Sequence, residues 1–443
     1  MKNQFLLLAF MLFFAGIGLT KAQSNKISFE EYDLDNGLHV ILHQDRSTPI
    51  VTVSVMYHVG SKNENPERTG FAHFFEHLMF EGTQNIPRGE YSNFVERAGG
   101  TLNANTSNDR TYYYEILPSN QLEMGLWLES ERMLHAKVDS IGIQTQKKVV
   151  IEEKKQTVDS RPYGTLLQET MSRAFTEHPY RWTVIGDPDH IRAAKDEEFQ
   201  HFYEEFYVPN NAALVIAGDI ELEETKALVS KYFADIPKGN DNIYRPTMTE
   251  PPLGGEVRDT IFDNIQLPLI LHAYRTPAMG TDDYYALDML STLLSGGQSS
   301  RLYKSLVDEQ QKALEVSSFA LPFQDPSVAI AIALPNMGVD CADLESAMDE
   351  QVNRVRKELI SEREYQKLLN QFENTFVKSN IKLASRAENL ATNYTYFGNT
   401  NLINTELDKY LAVTREDIRR VANKYFVNDN RVVLYYLPKS QQN

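Results

Sequence analysis

Along the chain, short stretches in which nearly every residue is apolar alternate with longer ones whose apolar residues recur every three or four positions. The first pattern predicts strands and the second predicts amphipathic helices. LHVILH (38–43), after the turn-like Asp35-Asn36-Gly37, and IVTVSVMYHVG (50–60) open the first half as strands. AALVIAGDI (212–220) closes it with another strand, followed by a helical pattern. Between them the spacing predicts one helix over 120–137, with Ser119 as its cap, and a second over 144–160. GGTLNANTSNDRTYYYEIL (99–117) alternates polar and aromatic positions after a Gly-Gly turn and predicts a further strand. The second half repeats the plan: strands in EVRDTIFDN and LPLILHAYRT, a helix in DDYYALDMLSTLLS, and a closing strand in RVVLYYLP. Residues 237–255, rich in Pro, Gly, Asn and Asp, read as a linker. The expected fold is α+β, with two similar domains (23–236 and 256–443), each a mostly antiparallel sheet packed by helices.

Residues 1–22 follow neither pattern. A basic start at Lys2, the apolar run FLLLAFMLFFAGIGL, and small residues at Thr20 and Ala22 predict a secretory signal peptide cleaved after Ala22. The run is about 15 residues, short of the roughly 20 needed to span a bilayer. No cysteine follows the cleavage site to carry a lipid, and no other run is long enough to span. A periplasmic or extracellular location is therefore expected. The single cysteine, Cys341, excludes an internal disulfide framework. A net charge of −17 argues against nucleic acid and anionic membranes as partners.

The candidate chemistry lies in FAHFFEHLMF (71–80), where His73, Glu76 and His77 stand in the order H-x-x-E-H. On a helix, residues four apart share one face about 6 Å apart along the axis, so two imidazoles can grip one small cation. Glu76 shares that face and is placed to take a proton from an activated water. The apolar neighbours argue against a solvated helix, and burying two histidines and a carboxylate there is costly without a partner. His39 and His43 are also four apart, but on a strand they stand about 13 Å apart, too far for one metal. They are expected to be half-exposed strand residues. A third ligand is expected within 144–160. Glu153 follows Val149 and Val150 by four and three positions and falls on the apolar face, whereas Glu152 sits with Lys148, Lys155 and Gln156. Glu153 is the better candidate.

These residues make the chain resemble the pitrilysin/insulysin family of zinc metallopeptidases, the inverzincins, in its short branch containing the mitochondrial processing peptidase and bacterial relatives. The resemblance rests on GFAHFFEHLMFEGT, AGGTLNANTSNDRTYY, VVIEE, HPYRWTVIGDPDHI, YVPNNAALVIAGDI and SGGQSSRLYKSL, and covers nearly everything after residue 25. It implies a zinc-dependent endopeptidase cutting peptides or unfolded polypeptides. One Zn2+ per chain would be held by His73, His77 and Glu153, with Glu76 as general base. It also implies two domains facing each other around a chamber, and a substrate added as a strand beside Asn103, Ala104 and Asn105.

Two positions depart from the family. Where relatives carry a supporting glutamate seven residues before the ligand, this chain has Gln146. Where active members carry an arginine and, seven residues on, a tyrosine that hold the substrate carbonyl, it has Val307 and Leu314. The family implication is a heterodimer, in which a paralogous partner lacking H-x-x-E-H supplies the Arg/Tyr pair. The rival expectation is a non-catalytic scaffold or binding subunit of a larger complex.

Overall fold

Residues 26–442 are described by a computed structural model. The signal-peptide expectation therefore lies outside the described residues. The first half contains β1 (Glu30–Asp33), β2 (His39–Gln44), β3 (Ile50–Tyr57), β4 (Thr101–Thr106), β5 (Thr111–Pro118) and β6 (Ala212–Gly218). The second contains β7 (Val257–Asp263), β8 (Leu269–Thr276), β9 (Ala313–Leu321), β10 (Ser327–Pro335) and β11 (Arg431–Pro438). Two mixed sheets result, ordered β1-β2-β6-β3-β5-β4 and β7-β11-β8-β10-β9. Without β1 the first sheet has the plan of the second. In each, the first two strands are parallel (β2 with β6, β7 with β11) and every later neighbour is antiparallel. The repeat expected from the sequence is thus present in the strand order itself, and both halves are sheets packed by helices.

The helices of the first half are α1 (Phe71–Leu78), α2 (Tyr91–Arg97), α3 (Leu122–His135), α4 (Ser140–Lys154), α5 (Leu166–Ala174), α6 (Pro188–Ala193), α7 (Asp196–Phe206) and α8 (Leu222–Phe233). Those of the second are α9 (Asp282–Ser295), α10 (Cys341–Lys357), α11 (Glu362–Ser379), α12 (Leu383–Phe397), α13 (Leu402–Ala412) and α14 (Arg415–Tyr425). No strand or helix lies between Phe233 and Val257.

The central strands of both sheets are buried and mostly apolar, β6 and β10 nearly throughout, because both faces of each sheet are covered. One face of the first sheet packs against α1, α3, α4, α7 and α8, through residues such as Val53, Phe74, Leu126, Phe199 and Val229. Its other face, with Ile41, Met56 and Val215, is covered by Ala387, Leu390 and Ile403 of α12 and α13, helices that belong to the second half. The reverse holds for the second sheet. Its own helices cover one face, while Met171, Ala174 and Tyr180 of the first half cover Leu271, Ile330 and Val432 on the other. Each aliphatic or aromatic side chain so buried is worth about 1.5–3 kcal/mol.

Several expectations are corrected in detail. His39 and His43 lie on a strand as predicted, but they are buried, not half-exposed. The cover comes from α12, where Tyr394 stacks on His39 and Arg386 meets His43 Nε2 at 2.8 Å. The segment 99–117 is not one strand but a hairpin, β4 and β5, closed by Ser107 N–H donating to Arg110 O. The turn was hidden because TSND (106–109) continues the polar run of the strand before it. Ser119 makes no cap, since its hydroxyl donates to Asp219 at 3.1 Å. The helix predicted over 144–160 begins four residues earlier, where Asp139 Oδ1 accepts from Gly142 N–H at 2.8 Å. It leaves α-geometry at Lys154 and continues as a π-helical turn, Lys155–Asp159.

Candidate metal centre

Helix α1 enters through Gly70, whose φ of 93° would strain a side chain. One face drives Phe71, Phe74 and Phe75 into an aromatic layer with Phe199 and Phe202 of α7. The opposite face carries His73, Glu76 and His77, as the 3.6-residue period requires. The C-terminal turn is pinned to β5, where the Tyr113 hydroxyl donates to Phe75 O at 3.1 Å.

Helix α4 crosses beside α1 and delivers Glu153. Its Oε2 lies 3.1 Å from His77 Nε2 and 3.6 Å from His73 Nε2. One ligand atom from each of His73, His77 and Glu153 falls within 4.8 Å of the others, and no other such cluster occurs among the described residues. Glu152 turns away, toward Lys155 at 3.7 Å and Gln156 at 3.0 Å. The sequence argument from Val149 does not carry over, because Val149 is exposed and only Val150 is buried. Burial, and then the neighbouring His77, lower the His73 imidazole to about 4, which keeps it neutral as a ligand must be. No hydrogen bond reaches the buried atoms Glu153 Oε2 and His73 Nδ1. Two imidazoles and a carboxylate converging in this way fit a small divalent cation such as zinc, with room in the coordination sphere for water.

Glu76 points to β4, where the Thr106 hydroxyl donates to its Oε2 at 2.6 Å. Burial raises the Glu76 carboxyl above the usual carboxylate range, and the Thr106 bond opposes that rise. Thr106 was missed from the sequence. The available signal was the pleat: Ala104 and Thr106 share the strand face toward α1, while Asn103 and Asn105 take the other. Asn105 Oδ1 accepts from Arg110, and Asn103 Oδ1 meets Ala104 N–H at 2.9 Å. The strand β4 is the sheet edge. Counting back from the Ser107–Arg110 closure, the main-chain groups of Leu102, Ala104 and Thr106 point away from β5.

Gln146 lies two turns before Glu153 on α4. Its amide donates to Glu81 Oε1 at 2.6 Å, and Glu81 is held from the other side by Arg88, which also pairs with Asp139 at 2.8 Å. In the second half, α9 occupies the place of α1 in the repeat and carries Asp288, Met289 and Leu290. Val307 packs against the second core, and Leu314 stands exposed on β9. Arg301 is bound to Glu364 at 2.8 Å.

Residues 39–187 match the family described as insulinase (peptidase family M16), and residues 194–372 match the peptidase M16 inactive domain. The zinc protease PqqE of Helicobacter pylori is 31% identical over 94% of this chain and 94% of that protein. The chain belongs to the pitrilysin-type M16 zinc peptidases. A crystal structure of a protease from Helicobacter pylori superposes with a TM-score of 0.88 at 30% identity, over 93% of this chain and all of that one. The periplasmic protease PqqL of Escherichia coli shares the fold, with a TM-score of 0.77 at 18% identity. This M16 chain matches 47% of PqqL's length. Homologues named as zinc proteases mark it as a metallopeptidase that uses zinc.

Proposed function

We propose that this chain is a secreted zinc metalloendopeptidase, periplasmic or extracellular, that hydrolyses peptides or unfolded polypeptides. We propose further that it is the catalytic subunit of a heterodimer. The observation that carries the reading is the convergence of His73, His77 and Glu153 one helical turn from a carboxylate that Thr106 holds against the sheet edge. His73, His77 and Glu153 would bind one zinc ion, which supplies Lewis acidity and lowers the pKa of water.

Glu76 takes the proton of the attacking water and returns it to the leaving amine. Its burial supports the role, because a raised pKa brings a carboxyl closer to the value a base needs near neutral pH. Substrate is held as an added strand on β4, along Asn103, Ala104 and Asn105, using the outward main-chain groups of Ala104. To pair there it displaces Asn103 Oδ1 from Ala104 N–H.

The heterodimer follows from Val307 and Leu314. Neither can donate a hydrogen bond, and loss of one oxyanion donor costs about 10²–10³ in rate. A paralogue without H-x-x-E-H but with the arginine and tyrosine would supply the donors.

The direct test is Glu76→Gln. It should keep about one zinc per chain by metal analysis and abolish cleavage of a quenched peptide, and an active Glu76→Gln protein would reject the assignment. Mixing the chain with its proposed partner should raise cleavage by orders of magnitude. Full activity of this chain alone would reject the heterodimer.

A further inference from the structure

The first turn of α1 needs an acceptor for its N–H groups, and its cap residue, Gly70, has no side chain to give one. The acceptor comes from six residues upstream. Glu64 is buried, with 3% exposed, and spans the turn with both oxygens: Oε2 accepts from Gly70 N–H at 2.9 Å and Oε1 from Ala72 N–H at 2.9 Å. Ala72 immediately precedes His73.

The main chain just before Glu64 is itself fixed. Ser61 N–H donates to Ser107 O at 3.2 Å and Lys62 N–H to Asn108 O at 2.9 Å. Trp182 Nε1–H donates to Ser61 O at 2.9 Å. Residues 107 and 108 form the turn that follows Thr106. One short segment therefore grips the hairpin with its backbone and the metal helix with its side chain.

We propose that Glu64 is a positioning residue of the metal centre. It sets the height and rotation of α1 against the β4–β5 hairpin, so that His73 and His77 meet Glu153 while Glu76 meets Thr106. Burial pushes the Glu64 carboxyl up to about 8, and the bonds from Ala72 and Gly70 N–H oppose that rise. Both oxygens accept, an arrangement that fits the ionised form and that N–H groups at a helix start favour. A carboxamide of the same shape can satisfy only one of them and turns an NH2 toward the other.

This inference rests on the zinc reading above, and the test separates the two. Zinc affinity of the full chain is measured by competition with a chromogenic chelator, with thermal unfolding of the metal-free protein alongside. The visible spectrum of the cobalt-loaded protein reports ligand geometry. Glu64→Gln should weaken zinc binding by about 10–100-fold, the range for residues that orient metal ligands. It should also shift the cobalt bands while the apo protein melts within a few degrees of the parent. Glu64→Asp, which keeps the carboxyl group but is one methylene shorter, should lie between the parent and Glu64→Gln. If Glu64→Gln does not fold, Glu64→Asp decides in the same assays. Parental zinc affinity and cobalt bands in the folded variants overturn the proposal. A parent chain that binds no zinc overturns both the proposal and the reading beneath it.

Discussion

The bond between Thr106 and Glu76 is one hydroxyl on one carboxylate, yet it fixes the direction of the group proposed to move protons. A hydrogen bond to a charged acceptor contributes about 1.5–3 kcal/mol. Thr106→Val should therefore lower kcat/KM about 10–100-fold while zinc content stays at the parental level, and Thr106→Ser should restore most of the loss. Equal losses in the valine and serine variants would assign the effect to packing. The H-x-x-E-H residues were legible because a helix places them by spacing alone. Thr106 was not, because its tie to Glu76 crosses 30 positions and depends on which face of β4 turns inward. His39 and His43 give the same lesson: their strand was legible, but the residues burying them, Tyr394 and Arg386, lie some 340 positions away.

At the scale of elements, α4 shows what its sequence could and could not give. Its existence followed from the periodic apolar residues, and Glu153 was chosen over Glu152 from the face it occupies. The start at Asp139 and the π-helical continuation were not legible, and β9 and β10 were not delineated at all. Gln146 is the informative residue. Its amide gives a proton to Glu81, so a glutamate there would set carboxylate against carboxylate beside a single arginine, Arg88. Gln146→Glu is expected to destabilise the protein by about 1–3 kcal/mol at pH 7, the cost of losing a partner in a largely buried pair. The deficit should shrink below about pH 5 as one carboxyl takes up a proton. Thermal unfolding at pH 7 and pH 5 checks both statements. An unchanged or raised Tm at pH 7 would show that the loop after α1 accommodates the charge.

In the whole molecule, the two halves meet through a polar junction as well as through their exchanged helices. Lys62 lies 2.8 Å from Asp109 and 3.1 Å from Asp325, and Tyr180 donates to Asp109 at 2.6 Å. The His178 hydrogen bond, then the Lys62 ammonium acting against the cost of burial, hold the Asp325 carboxyl at about 2. Because this value lies below the ordinary 3.8, the ionised group favours the folded state above about pH 3.8. That contribution is lost as pH falls through 2. The Asp325 side chain is 38% exposed, so solvent screening limits it to about 1 kcal/mol. Asp325→Asn should lower Tm by about 1 °C at pH 7, and the gap should close by pH 2. A gap that persists at pH 2 would assign the loss to the changed hydrogen bonds instead.

The reciprocal covering of the sheets also bears on how the chain could be divided. A cut within 237–255 severs no strand or helix, so a nicked molecule would hold together through the buried contacts of α5, α12 and α13. Either half made alone would lose the lid on one face of its sheet and present bare Ile41, Met56 and Val215, or Leu271, Ile330 and Val432, to water. The linker can be dispensable as a covalent bond while neither half is dispensable as a folding partner. The halves behave as hands in a handshake, and only co-expression should recover from two genes what one gene now encodes.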